Sequence, residues 1–251
     1  MIKVSIIGSG NIAQHLIAAF AENPSIKLVQ AMARHPEKLQ RFAGLTEIVG
    51  DVQLLKPADV CLLAVSDSAI SDVAAQIDDS QFVVHTAGSV PIDALGNRPR
   101  RGSFYPLQTF SANRPVDWTE IPIFAEASAP EEVALLLQLG KALSPRVTKV
   151  TYQQRLALHL AAVFVCNFVN HMYDIGDEIC QENQLDFSVL HPLIRETASK
   201  IENMSPREAQ TGPARRQDCI TLTRHSDALT KENLKELYQL LSTSISKRYE
   251  L

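Results

Sequence analysis

The sequence predicts an α/β chain: a doubly wound parallel sheet followed by an all-α C-terminal domain. Three observations predict it. Apolar runs of strand length alternate with helical periodicity over the first half, a glycine-rich turn joins the first strand to the first helix, and strand signals stop after Gln153. In order, Val4-Ser5-Ile6-Ile7 reads as a strand, Asn11 to Glu22 as a helix, Ile26 to Met32 as a strand, and Pro36 to Phe42 as a short helix opened by proline. Val60 to Val65 and Phe82-Val83-Val84 are continuous apolar runs, as parallel strands buried on both faces require, with helical Ile70 to Ile77 between them. Ser103-Phe104-Tyr105, Ile121 to Phe124 and Arg146 to Val150 read as strands, and Pro130 to Leu143 as an amphipathic helix. Beyond the boundary near Thr151, Gln153 to Asn183 reads as one long helix with a break near Gly176, Phe187 to Met204 and Lys231 to Lys247 as further helices, and Ser205 to Asp218 as turns. The expected domains are therefore residues 1–150 and 151–251.

At 251 residues, 45% hydrophobic and 21% charged, the composition is that of an ordinary globular protein. A formal net charge of -4 argues against nucleic acid or an acidic membrane surface as partner. Cys61, Cys166, Cys180 and Cys219 have no metal-ligand spacing, so no metal is expected. Cys61 and Cys166 read as buried thiols in a reducing, cytoplasmic setting. Lys3 to Gly8 already reads as a core strand, so no signal peptide is expected before it. Leu156 to Tyr173 is uncharged and of near-spanning length, but it carries His159, Asn167, Asn170 and His171; a buried helix in a soluble domain is the expectation.

Gly8-Ser9-Gly10-Asn11-Ile12-Ala13 matches G-x-G-x-x-A between strand and helix. Gly8 allows the tight turn, Gly10 lets backbone approach a pyrophosphate, and Ala13 is small enough for helix–sheet packing. The helix start offers free N–H groups to the phosphates. This is the dinucleotide fingerprint of a Rossmann-like domain. The second strand ends in Ala31-Met32-Ala33-Arg34-His35, without the acid that holds an NAD ribose, and Arg34 suits a 2′-phosphate; the expected cofactor is NADP(H). Val65-Ser66 and Thr86-Ala87-Gly88 end two further strands on the same crevice and complete the expected cofactor contacts. His85 reads equally well as a site residue or a structural one.

The runs His85-Thr86-Ala87-Gly88-Ser89, Tyr105-Pro106-Leu107-Gln108-Thr109-Phe110, His159 to Phe168 and Gln210-Thr211-Gly212-Pro213-Ala214-Arg215 complete a resemblance that spans nearly the whole chain. The chain resembles a family of two-domain Rossmann-like proteins with a C-terminal domain of unknown function, often labelled NADP oxidoreductases. More distantly it is similar to pyrroline-5-carboxylate reductases and β-hydroxyacid dehydrogenases. The resemblance implies a cofactor domain plus a helical dimerisation domain, and no substrate. Where the family tends to have His before Pro-Leu-Gln, this chain has Tyr105. Where the related dehydrogenases have a catalytic Lys and an Asn four residues later, it has His159 and Val163, with Asn167 one turn on.

On a regular helix, Arg155, His159, Asn167, Asn170 and Asp174 share about a third of the circumference. His159 is the expected general acid or base, its unperturbed pKa lying nearest neutrality, and Asn167 the expected substrate-orienting group. Gln108, Thr211 and Arg215 are the expected substrate contacts, Arg215 as a carboxylate ligand; the alternative for that turn is a plain connection in which Asp218 caps the next helix. The reading is an NADP(H)-dependent oxidoreductase moving a hydride to or from a small carbonyl, hydroxyl or imine substrate bound between the domains. The alternative is a non-catalytic NADP(H)-binding sensor or scaffold. The apolar helix Leu156 to Val169 is hydrophobic on most faces, which predicts a homodimer through the C-terminal domain.

Overall fold

The computed structural model describes residues 1–112 and 114–249, so the last two residues of the expected helical domain lie outside it. Among the described residues, eight strands form one sheet in the order β3-β2-β1-β4-β5-β6-β7-β8. They are β1 (Ile2–Ile7), β2 (Ile26–Met32), β3 (Glu47–Val49), β4 (Val60–Leu63), β5 (Val83–His85), β6 (Arg101–Pro106), β7 (Ile123–Ala127) and β8 (Val147–Lys149). All neighbours pair in parallel except β6 and β7, which pair antiparallel with Tyr105 opposite Phe124. The doubly wound expectation holds; β3 is a strand that periodicity did not mark.

Alternation along the strands builds two cores. Val4 and Ile6 of β1 and Leu62 of β4 face one layer with Ala13, Leu16 and Phe20 of α1 (Asn11–Glu22). Ile7, Cys61 and Leu63 face the other, against Ile70 and Ala74 of α2 (Ile70–Ala74). A strand covered on both faces has no polar side, hence the unbroken apolar runs. The same burial pushes the Cys61 thiol up to about 12, so it is an inert packing group. α3 (Pro130–Lys141) covers the β7–β8 end of the sheet with Val133, Leu136 and Leu139.

The end of α2 is held by one buried cation. Arg98 donates from Nε to the Leu95 carbonyl at 3.0 Å and from Nη2 to the Ala74 and Ile77 carbonyls at 2.6 and 3.2 Å. The Ala74 carbonyl, at the end of α2, also accepts the Ile77 N–H at 3.1 Å, so Arg98 adds a second donor there.

By its internal contacts the chain forms two compact units, Met1–Met172 and a second that begins at Tyr173. The first holds the sheet and α4 (Tyr152–Ala162), whose start is fixed by a reciprocal capping box between Thr151 and Gln154. The expected break near Gly176 is absent. The helix runs without interruption from Tyr152 to Glu182, and its irregularity is a π-helical turn at Val163–Phe168 before α5 (Val169–Glu182). In the second unit, α6 (His191–Lys200), α7 (Pro206–Ala209), α8 (Cys219–Ala228) and α9 (Glu232–Arg248) follow. Asp218 caps α8 by accepting the Thr221 N–H at 3.1 Å, and Lys231 pairs with Glu178 and Glu182 of α5.

The expectation of a buried helix at Leu156 to Tyr173 is not met within one chain. Leu160, Phe164, Val165 and Phe168 are exposed, Val165 at 72%, and Cys166 is only half-buried. By length and composition alone, Tyr152–Glu182 is apolar enough to cross a membrane. All four cysteines, among the described residues, are free thiols.

Arg98→Ala strips the α2 end of its donors. It should lower unfolding free energy by about 3 kcal/mol in urea titration, whereas an exposed control such as Arg195→Ala should change it by less than about 0.5 kcal/mol.

Candidate functional site

The carboxyl ends of β1 and β4 flank the point where strand order reverses, the usual ligand crevice of an open parallel sheet. Here the glycine turn makes its closest approach. Gly8 has φ +135°, and a Cβ on it would lie 2.1 Å from the Ala64 carbonyl oxygen, so only glycine fits between the two strand ends. Ala13 is fully buried beneath it. Gly10 is the opposite case, since a Cβ there would meet nothing and would stand in open space. α1 begins after Gly10 with no side-chain cap and no acid in its first turn. Its N-terminal N–H groups and positive dipole end are therefore left for an anion.

A cavity of about 410 Å³ opens on this turn, lined by Gly8, Ser9, Gly10 and Ile12, by Ala33 and Arg34, and by Val65 and Ser66. His35 and Lys38 also line it, and no carboxylate does. Lys38 was missed by sequence reasoning; a 3-10 turn at Pro36–Phe42, with the Lys38 N–H on the His35 carbonyl, brings it beside Arg34. Two cations line the β2 end, while Glu37, paired with His35 at 3.2 Å, does not line the cavity; this lining fits a 2′-phosphate. Asn11 does not line this cavity; its side chain donates to the Phe110 carbonyl at 2.9 Å.

Thr86, Ala87 and Gly88 lie outside that cavity, on the loop after β5, and five contacts fix this loop. The Thr86 N–H donates to the Leu63 carbonyl at 3.1 Å, and Ser89 Oγ to Asp67 at 2.8 Å. The Tyr152 hydroxyl donates to the Ser89 carbonyl at 3.2 Å. His85 Nδ1 accepts the Ala87 N–H at 3.2 Å. Burial, with help from the Arg155 charge, holds the His85 imidazole down to about 3, so it is neutral at physiological pH and acts as a loop anchor. The fifth contact is Arg155 in α4, which is 0% exposed. Its Nη1 donates to the Ala87 and Gly88 carbonyls at 2.7 and 3.1 Å, and its Nη2 meets Glu126 of β7 at 3.0 Å.

One turn beyond Arg155 lies His159. A Cβ on Gly88 would be 2.6 Å from His159 Nδ1, so loop and ring are in direct contact. The same Nδ1 lies 3.0 Å from the Tyr105 hydroxyl. Tyr105 is buried at the end of β6, and that burial raises its phenol above the ordinary value. With Nδ1 engaged, Nε2 is the ring atom left to exchange a proton.

A second cavity, about 520 Å³, is lined by residues from both sides of Thr151 within the first unit. Tyr105, Gln108 and Thr109 come from the β6 end, and His159, Val163 and Asn167 from the helix. The π turn makes this grouping. Eight residues of regular α-helix would rotate Asn167 about 80° away from His159, and the wider π turn reduces rotation per residue. The five-residue polar stripe does not form, because Arg155 is buried in the sheet junction while Asn170 and Asp174 are exposed. Thr211 and Arg215 belong to the second unit, where the Arg215 guanidinium stacks 4.7 Å over Tyr249.

Residues 3–88 match the family described as NADP oxidoreductase, coenzyme F420-dependent, and residues 121–245 match domain of unknown function 2520. The chain is 38% identical to a Bacteroides fragilis protein provisionally designated NADP oxidoreductase BF3122, with TM-score 0.89 and 98% of each chain covered. Protein TM1727 from Thermotoga maritima aligns over 98% of each chain at 19% identity and TM-score 0.73. A Plasmodium falciparum pyrroline carboxylate reductase with NADP bound aligns over 98% of each chain at 11% identity and TM-score 0.63, a likeness of fold alone. No curated protein matches. The glycine turn, the cationic β2 end and the full-length match to the Bacteroides protein agree, and the chain belongs to the family that joins an NADP oxidoreductase domain to domain of unknown function 2520.

Proposed function

We propose that the chain is an NADPH-dependent reductase or dehydrogenase of a small carbonyl, hydroxyl or imine compound, with His159 as general acid or base. One observation carries this reading: the loop Thr86–Gly88, tied to the β4 end by the Thr86 N–H on the Leu63 carbonyl, is in contact with the His159 ring. Val65 and Ser66, just beyond β4, line the nucleotide cavity, and the loop after the neighbouring strand β5 touches the proton-exchanging group.

In this reading the α1 N-terminus binds the pyrophosphate, and Arg34 and Lys38 bind the 2′-phosphate. NADPH, when bound, supplies a hydride. His159 Nε2 gives a proton to the substrate oxygen or nitrogen, and Tyr105 steadies the ring through Nδ1. Asn167 and Gln108 orient the substrate in the second cavity. Residues 1–150 serve the cofactor, and residues 151–251 serve the substrate and assembly. The exposed apolar face of Leu160, Phe164, Val165 and Phe168 supports a homodimer formed by this helix, since so large an apolar patch is rarely left in water.

Arg34→Ala should weaken NADPH binding by about 1.5–3 kcal/mol in calorimetry, and Lys38→Ala by a smaller amount, while NADH affinity stays unchanged. Equal losses for both nucleotides would remove the 2′-phosphate role. His159→Gln should lower kcat about 10²- to 10⁴-fold with NADPH affinity intact, and Tyr105→Phe should have a smaller effect. A protein whose turnover survives His159→Gln uses another acid. Sedimentation should give a dimer for the native chain and a monomer for Phe164→Asp with Val165→Asp; a native monomer at micromolar concentration would refute the assembly.

A further inference from the structure

A short segment after β6, Leu107 to Ser111, reaches from the second cavity to the nucleotide helix, all within the first unit. Gln108 and Thr109 line the cavity beside Tyr105 and His159. Phe110 and Ser111 lie on α1, the helix that opens at the glycine turn. The Asn11 carboxamide donates to the Phe110 carbonyl at 2.9 Å, and His15 Nε2 lies 2.9 Å from the Ser111 carbonyl. The Phe110 ring packs against His15, with centroids 5.2 Å apart, and against Trp118, with centroids 5.7 Å apart. At the cavity end, the Leu107 N–H donates to the Pro122 carbonyl at 2.8 Å, and the Thr109 N–H to Gln108 Oε1 at 2.8 Å.

Asn11 meets both sides. It is the first residue of α1, so its main-chain N–H is among those that the helix start offers to an anion, while its side chain holds the segment. An anion on that N–H fixes the Asn11 backbone, and with it the carboxamide that anchors Phe110. Linkage makes the effect reciprocal: whatever holds the segment on α1 favours the anion by the same free energy. Gln108, Thr109 and Ser111 are exposed, and exposed residues held by few contacts open locally at small cost, so the segment can respond.

Resting on the nucleotide site of the reductase reading, we propose that the segment Leu107 to Ser111 couples the two cavities: NADP(H) at the start of α1 tightens the segment and so sets Gln108 and Thr109 for the substrate. Phe110 is the positioning residue of this coupling. It lines neither cavity. It acts through Asn11 and His15 on one side and through the chain of Gln108 and Thr109 on the other.

The test uses NADP⁺ as probe on the full chain, with hydrogen exchange and calorimetry as readouts. Saturation with NADP⁺ should slow exchange of the amides in residues 107–111 by about threefold or more, together with those of the glycine turn. Phe110→Ala should weaken NADP⁺ binding about fivefold, although Phe110 lies outside the nucleotide cavity. At saturating NADP⁺ this variant should still protect the glycine turn and no longer protect residues 107–111. His15→Ala, at a half-buried helix position, should act in the same direction more weakly, and it decides the matter if Phe110→Ala does not fold. Protection confined to the glycine turn in the native chain overturns the proposal. So does NADP⁺ affinity that ignores every variant that folds. Failure of the native chain to bind NADP⁺ at all is the separate outcome that sinks the nucleotide site, and this proposal with it.

Discussion

The site depends on one buried guanidinium. Arg155 stands in the first turn of α4 with no exposed surface, and its charge is spent on three partners. Two are the carbonyls of Ala87 and Gly88, and the third is Glu126 on β7. The ion pair need not add net stability, because burying two charges offsets most of their attraction. It adds geometry. An arginine donates along fixed directions, so the loop after β5, the antiparallel strand β7 and α4 are held in one register. His159, one turn on, inherits its position against Gly88 from that clamp. Removing the guanidinium would leave Glu126 and two carbonyls without a donor, a far larger loss than truncating a surface arginine.

The two cavities differ in what lines them. The first, at the glycine turn, offers a bare helix N-terminus and the cations Arg34 and Lys38, which suits a polyanion. The second offers dipoles and apolar walls. The loop after β5 is held by backbone contacts, by the Arg155 guanidinium and by a histidine that stays neutral.

Sequence and structure agree best where chemistry constrains the backbone. Gly8, Gly10 and Ala13 are legible because each answers a steric demand that few residues meet, and Arg34 because it stands where an acid is usual. Lys38 was hidden because its direction depends on a 3-10 turn that periodicity reads only as a short helix. The Tyr105–His159 pair joins residues 54 apart, and nothing local announces it. Arg155 looked like part of a polar stripe, since a helical wheel cannot tell a stripe facing water from one residue driven into a sheet. The π turn left no signature either. Its sequence, Val163 to Phe168, is apolar but for Asn167 and has no glycine or proline, and a regular helix was the natural expectation. The apolar helix itself was legible, but not its exposure within one chain.

The central claim is that the loop Thr86–Gly88 joins the nucleotide crevice to the His159–Tyr105 pair. A crystal structure of the chain with NADP⁺ tests it most directly. The account predicts the pyrophosphate on the N–H groups after Gly10, the 2′-phosphate between Arg34 and Lys38, and the nicotinamide ring against Gly88 beside His159. A nicotinamide ring turned away from His159, or a nucleotide bound anywhere other than the glycine turn, would contradict it.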